Sequence, residues 1–215
     1  MGVGEPSCLV VMLHGRGGKM QDFNKAGFID ILEAAGPAAE VVTVNAHLGY
    51  YAKRTLLVRL QEDIIGPARE RGIESIWLVG VSMGGFGSLL YASQHAEEIS
   101  GVVLFSPFLG EEELIEEIKG AGGLEAWDPG GEVDLEVDYQ RALWGWLKKN
   151  LASSDGIPLY LGFGAAEEFV TTNAVLAEAM PERSVLVGEG GHTWTTWSPL
   201  WKKFVNAGVL CDRQP

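Results

Sequence analysis

Short, continuously apolar runs recur along this chain at about residues 8–13, 40–44, 75–81, 100–106, 157–163 and 184–188. Most are apolar at every position rather than at alternate ones, as strands must be when both faces of their sheet are covered. The intervening stretches have helical spacing. Leu56, Leu57, Leu60, Ile64, Ile65 and Ala68 recur at intervals of three and four, with Gly72 as a stop. Similar patterns cover roughly 24–35, 84–95, 172–180 and 197–207. Strand and helix in alternation predict an α/β fold, a mostly parallel, doubly wound sheet sandwiched by helices, because right-handed crossovers leave few other topologies.

One stretch breaks this rhythm. From about 108 to 154 lies an acidic helical run (Glu111 to Ile118), then a Gly/Pro/Asp-rich piece at Trp127–Gly131. A second helix follows, with Tyr139, Ala142, Leu143, Trp146 and Leu147 expected on its buried face. This segment reads as a cap or insertion within a single domain spanning 1–215, the number of domains that the length favours. Residues past about 208 read as a frayed tail.

Composition narrows the function classes. Sixteen basic against 29 acidic side chains give a net charge of −13, the wrong sign for phosphate backbones or a polybasic membrane anchor. Residues 111–138 carry 11 of those acidic groups and one lysine, so the charge belongs to the expected cap. It reads as a solvated surface or as a rim that disfavours anionic substrates such as acyl-CoA. No apolar run approaches the ~18 residues of a membrane span, and no export signal is visible at the start. Cys8 and Cys211 are too few for a disulfide framework, so Cys8 is expected as a buried inert thiol and Cys211 as an exposed one. A cytoplasmic protein is expected.

The chemistry follows the third strand. Gly80-Val81-Ser82-Met83-Gly84-Gly85 lies where strand passes into helix. There a G-x-S-x-G pattern presents a serine hydroxyl from strained backbone, with small neighbours to avoid clashes. Alone, the pentapeptide is equally a glycine-rich turn. His14-Gly15-Arg16-Gly17-Gly18, after the first strand, suits an oxyanion loop, with the backbone N–H groups of Met83 and Arg16 as donors. A phosphate-binding loop is not supported, since Gly18-Lys19 is followed by Met20 and Leu13 stands where the first glycine should be.

A general base comes from Gly190-Gly191-His192-Thr193-Trp194, after the last strand. His192 is the histidine in the required order after Ser82; His14 belongs to the oxyanion segment, His47 follows the second strand and His95 ends a helix. Chain order then asks for an acid between them, and no aspartate lies between Ile157 and His192. Glu167, after the fifth strand, is assigned the role of orienting His192. Glu168 and Glu111 are its competitors, and a solvated Glu pair at a helix start is the plainer alternative.

The GVSMGG, HGRGG and GGHTW segments together resemble the α/β-hydrolase superfamily over about residues 8–207, most closely its small bacterial esterase branch. The resemblance implies carboxylic ester hydrolysis without cofactor or metal, and a small-molecule ester as partner. Glutamate in place of the usual aspartate departs from the pattern. A thioesterase, lysophospholipase or peptidase would use the same residues, and an inactive hydrolase-fold binding protein is the reading of a different class. Trp194, two residues from His192, and Tyr50, after the second strand, are expected to wall the substrate pocket.

Overall fold

The computed structural model describes residues 7–36, 38–131, 133–135 and 137–211; Glu132 and Glu136 of the acidic run lie outside the described residues. Six strands form one sheet: β1 (Cys8–Leu13), β2 (Ala39–Val44), β3 (Ser75–Val81), β4 (Gly101–Phe105), β5 (Leu159–Gly164) and β6 (Val185–Gly188). Their order is β2-β1-β3-β4-β5-β6 and every pairing is parallel. The helices are α1 (Asp22–Lys25), α2 (Phe28–Ala35), α3 (Leu48–Ala52), α4 (Leu56–Leu60), α5 (Gly66–Glu70), α6 (Met83–Gln94), α7 (Glu112–Gly120), α8 (Tyr139–Ala152), α9 (Val170–Ala179) and α10 (Trp194–Asn206). A π-helical turn, Gln61–Ile65, joins α4 to α5.

The apolar runs are explained by burial on both sides. In β1, Leu9, Val11 and Leu13 enter one core while Cys8, Val10 and Met12 enter the other, the two-residue alternation of a strand. Ile76 and Leu78 of β3 follow the first set, and Trp77, Val79 and Val81 the second. The second core is closed by α1, α2 and α10, with Phe28 stacked on Trp201 at 5.3 Å between centroids. Strand order reverses between β1 and β3. The carboxyl edge of the sheet at such a switch point is the usual ligand position in open parallel sheets.

The segment between β4 and β5 is built into the first core. Leu114, Ile115 and Ile118 of α7, with Leu143, Trp144 and Leu147 of α8, join the cluster formed by the sheet. The buried face of α8 differs from the expected one. Trp144 is fully buried and Trp146 only partly, and Tyr139 is exposed. The cause is a partner for the indole, since Trp144 Nε1 donates to Leu109 O at 2.7 Å and a buried indole needs such an acceptor. Part of the acidic run is also paired, on an exposed surface. Arg141 donates to both oxygens of Glu117, at 2.7 and 2.6 Å, and lies 5.6 Å from the centroid of the buried Trp127 ring. That pairing, with a hydrogen bond from Trp127, holds the Glu117 carboxyl down at about 2.

The cysteines overturn their expected states. Cys8 and Cys211 form a disulfide across 203 residues of sequence, with Cα atoms 5.5 Å apart. The turn after α10 carries Leu210 into the second core and so brings Cys211 back to the first residue of β1. The chain just after 208 is therefore pinned rather than frayed. Disulfides persist where the surroundings are oxidising, which counts against the cytoplasmic setting expected above. Among the described residues, no helix is long and apolar enough to cross a membrane.

Candidate active site

Ser82 sits on the turn between β3 and α6 with φ 52° and ψ −118°, a left-handed backbone that a side chain adopts only when its surroundings impose it. They do. Ser82 N donates to Phe105 O at 2.9 Å, and Ser82 O accepts from Phe86 N at 3.2 Å and Phe108 N at 3.1 Å. The turn also needs bare backbone, since a Cβ on Gly84 would lie 2.0 Å from Leu13 O. This close approach brings the loop after β1 to the serine. A Cβ placed on Gly15 would stand 3.1 Å from Ser82 Cβ and 3.7 Å from Ser82 Oγ.

The two expected oxyanion donors lie on either side of this contact. Met83 heads α6, where first-turn N–H groups have no acceptor within the helix. The N–H of Arg16, next to Gly15, has no hydrogen-bond acceptor among the described residues, and the Arg16 side chain is exposed. His14 beside them is buried, with Nδ1 2.8 Å from Gly15 O and no partner at Nε2.

The residues expected as acid and base lie on neighbouring loops. Glu167 follows β5 and its side chain is fully buried; His192 follows β6 and keeps 22% of its side chain exposed. His192 Nδ1 lies 3.3 Å from Glu167 Oε2. Glu168 and Glu111 are exposed, so neither competitor occupies this position. Backbone bonds join the two loops: Ala165 N to Gly188 O and Ala166 N to Gly190 O, both at 2.9 Å. A Cβ on Gly164 would meet Gly190 O at 2.3 Å, so only glycine permits this spacing.

The imidazole is held by aromatic edges, with Phe169 at 5.2 Å and Trp197 at 4.9 Å between centroids. Trp197 is fixed in turn by Nε1 donating to Ser106 Oγ at 2.8 Å. Phe108, whose N–H holds Ser82 O, packs edge-on against Phe169 at 6.1 Å and so links the serine to the histidine wall. Among the described residues, no hydrogen bond joins Ser82 Oγ to His192. Such bonds are often long without substrate and tighten when it arrives.

A cavity of about 280 Å³ adjoins Met83, lined also by Tyr50, Tyr51, Phe86, Leu90 and Phe108. Tyr51 O–H donates to Met83 O at 2.9 Å, and burial pushes the phenol far above its ordinary range, so it remains a neutral donor. Tyr50 lines this cavity. Trp194 does not line this cavity. Its ring packs on Phe23 at 5.1 Å and Phe28 at 5.4 Å, in the core on the other side of the sheet. His95, Glu97 and Glu98 bring possible metal-ligand atoms within 4.8 Å of one another, at the end of α6 remote from Ser82.

Sequence reasoning missed Asn173, Phe169, Phe108 and Ser106. Only the positive φ of Ser106, 45°, marks it as unusual, and that is visible in the structure alone.

Comparison with known proteins agrees with this architecture. The family model for the alpha/beta hydrolase fold matches residues 68–161, the stretch holding the serine turn. Similar solved structures include an S-formylglutathione hydrolase from Staphylococcus aureus (TM-score 0.65, 16% identity, covering 94% of this chain and 80% of that one). A ferulic acid esterase superposes with a TM-score of 0.60 at 16% identity, covering 94% of this chain and 85% of that one. A monoacylglycerol lipase from Paleococcus ferrophilus gives 0.55 at 18% identity, covering 94% and 93%. No curated protein sequence matches. The chain has the α/β-hydrolase fold.

Proposed function

We propose that this chain is a serine hydrolase that cleaves carboxylic esters through Ser82, His192 and Glu167. The observation that carries the reading is the His192 Nδ1–Glu167 Oε2 contact at 3.3 Å, on loops at the same sheet edge as the strained Ser82 turn. A carboxylate on Nδ1 fixes the tautomer that leaves Nε2 free to accept a proton. Ser82 Oγ attacks the acyl carbon as His192 takes its proton, and the developing oxyanion is received by the Met83 and Arg16 N–H groups. The imidazolium then protonates the leaving alcohol, and water repeats the sequence on the acyl-enzyme. Each oxyanion donor supplies roughly 2.7–4 kcal/mol in enzymes of this kind.

The apolar cavity beside Met83 suits the non-polar part of a small ester. An apolar cavity of about 150 Å³ accepts a benzene ring. The larger space lined by Tyr50, Phe86 and Phe108 suits a group on the order of ten non-hydrogen atoms. Esterases and lipases among the similar structures support the same substrate class at the level of fold.

A fluorophosphonate probe tests the reading, since it labels an activated serine. Labelling of the wild type with none of Ser82→Ala is expected, together with turnover of p-nitrophenyl esters. Equal labelling of both proteins would refute it. Matched p-nitrophenyl and CoA esters separate an esterase from a thioesterase.

A further inference from the structure

We propose that Asn173 is a positioning residue for this reaction, clamping the Glu167 oxygen that His192 does not engage. The inference rests on the Ser82–His192–Glu167 reading and extends it to a side chain outside that set. Asn173 lies in the first turn of α9 and is fully buried. Its Nδ2 donates to Glu167 Oε1 at 2.9 Å and to Phe169 O at 3.0 Å. An amide nitrogen has two hydrogens, so both are committed. The reversed amide would set its oxygen against a carboxylate and a carbonyl, so the orientation is fixed.

The need for this clamp follows from burial. A carboxylate removed from water requires partners on its oxygens. Oε2 of Glu167 has His192; Oε1 has Asn173. Glutamate also has one more rotatable bond than aspartate, so a single contact to an imidazole leaves the carboxylate free to turn. Two anchors on opposite oxygens stop it. The same amide fastens Phe169 O, which also accepts from Asn173 N at 2.9 Å. The Phe169 ring stands against His192, so Asn173 steadies the imidazole by two routes, one through the carboxylate and one through the ring.

The arrangement carries a cost that a purely structural residue would avoid. Asn173 Oδ1 is buried with no hydrogen-bond partner among the described residues. An apolar side chain of similar size would remove that orphan acceptor, but would leave Glu167 Oε1 bare. The protein keeps the donor and tolerates the unpaired oxygen.

The test is a double-mutant cycle with ester turnover as the readout. Asn173→Leu keeps the size and removes the donor, and kcat should fall about 10- to 100-fold with KM little changed, because Asn173 does not line the cavity. Asn173→Asp, which keeps the shape and replaces the donor by a carboxylate oxygen, should lose activity similarly and serves if the leucine variant does not fold. In the Glu167→Gln background, replacing Asn173 should cost less than about twofold more, since the group it positions is already altered.

An equal loss in both backgrounds would overturn the proposal, as would wild-type kcat in either Asn173 variant. Failure of both variants to reach the wild-type circular dichroism spectrum would make the residue structural and overturn it as well. Full activity of Glu167→Gln would instead refute the acid assignment, and this inference with it. Loss in Glu167→Gln with none in the Asn173 variants refutes the positioning role alone.

Discussion

The two halves of the site are built from different materials. Around Ser82 the geometry is made of backbone: a left-handed serine, three main-chain hydrogen bonds and a glycine whose Cβ would strike Leu13 O. Around His192 the loops are again spaced by backbone, but the imidazole itself is oriented by side chains, with a buried carboxylate, a buried amide and two aromatic edges. Backbone geometry is shared with the fold, so damage to it costs stability and activity together. Side-chain geometry is separable, so damage there should cost activity first.

The largest expected effect breaks the backbone half. Gly84→Ala puts a methyl group 2.0 Å from a carbonyl oxygen that cannot move without disturbing β1. It should destabilise by more than ~3 kcal/mol or prevent folding, read by urea denaturation or yield of folded protein. Next, Ser82→Ala should cut turnover by ~10⁴-fold or more while the protein folds normally. Ser82→Gly should be equally inactive but more stable than Ser82→Ala by about 1 kcal/mol, because glycine adopts φ 52° without strain. Equal melting temperatures for the two would show that the turn stores no strain.

The side-chain half is tested by Glu167→Gln, expected to lower kcat about 10²- to 10⁴-fold with its melting temperature near wild type. Exposed Glu168→Gln should leave turnover within about twofold. The reverse pattern would assign the acid to the other glutamate. The smallest effect lies outside both halves, at Glu117 in α7. Its carboxyl is ordinarily near 4.5 and is held at about 2 by Arg141 and Trp127, so the pair contributes stability above pH 4.5 that is lost as pH falls toward 2. Glu117→Gln should flatten that part of an acid-denaturation curve, by under about 1 kcal/mol for so exposed a pair.

The same division explains what could be read from sequence. Strands, the serine turn and the histidine loop are local patterns, visible because glycine and apolar spacing answer to backbone sterics. Observed strands such as Ser75–Val81 and Cys8–Leu13 coincide with the expected runs. Trp194 was misplaced because closeness to His192 in sequence says nothing about direction. It opens α10, and its ring faces Phe23 and Phe28 instead of the cavity. Asn173 gave no signal, since one polar residue in a helical run does not reveal which loop its side chain meets. The apolar spacing of α8 fits more than one face, and the face observed gives the Trp144 indole an acceptor, Leu109 O, that the sequence does not show.

The Cys8–Cys211 bond has a consequence for the chain as an object. It turns the stretch from Cys8 to Cys211 into a covalent ring, closed across 203 residues. Proteolytic nicking of an exposed loop would leave one molecule until a reductant is added, migrating as a single species on a non-reducing gel and as two on a reducing one. The ring also fixes where new ends could be cut. With Cys8 bridged to Cys211 at β1, a cut in the Gly-rich stretch at 130–131 would leave the strands on either side of it covalently joined.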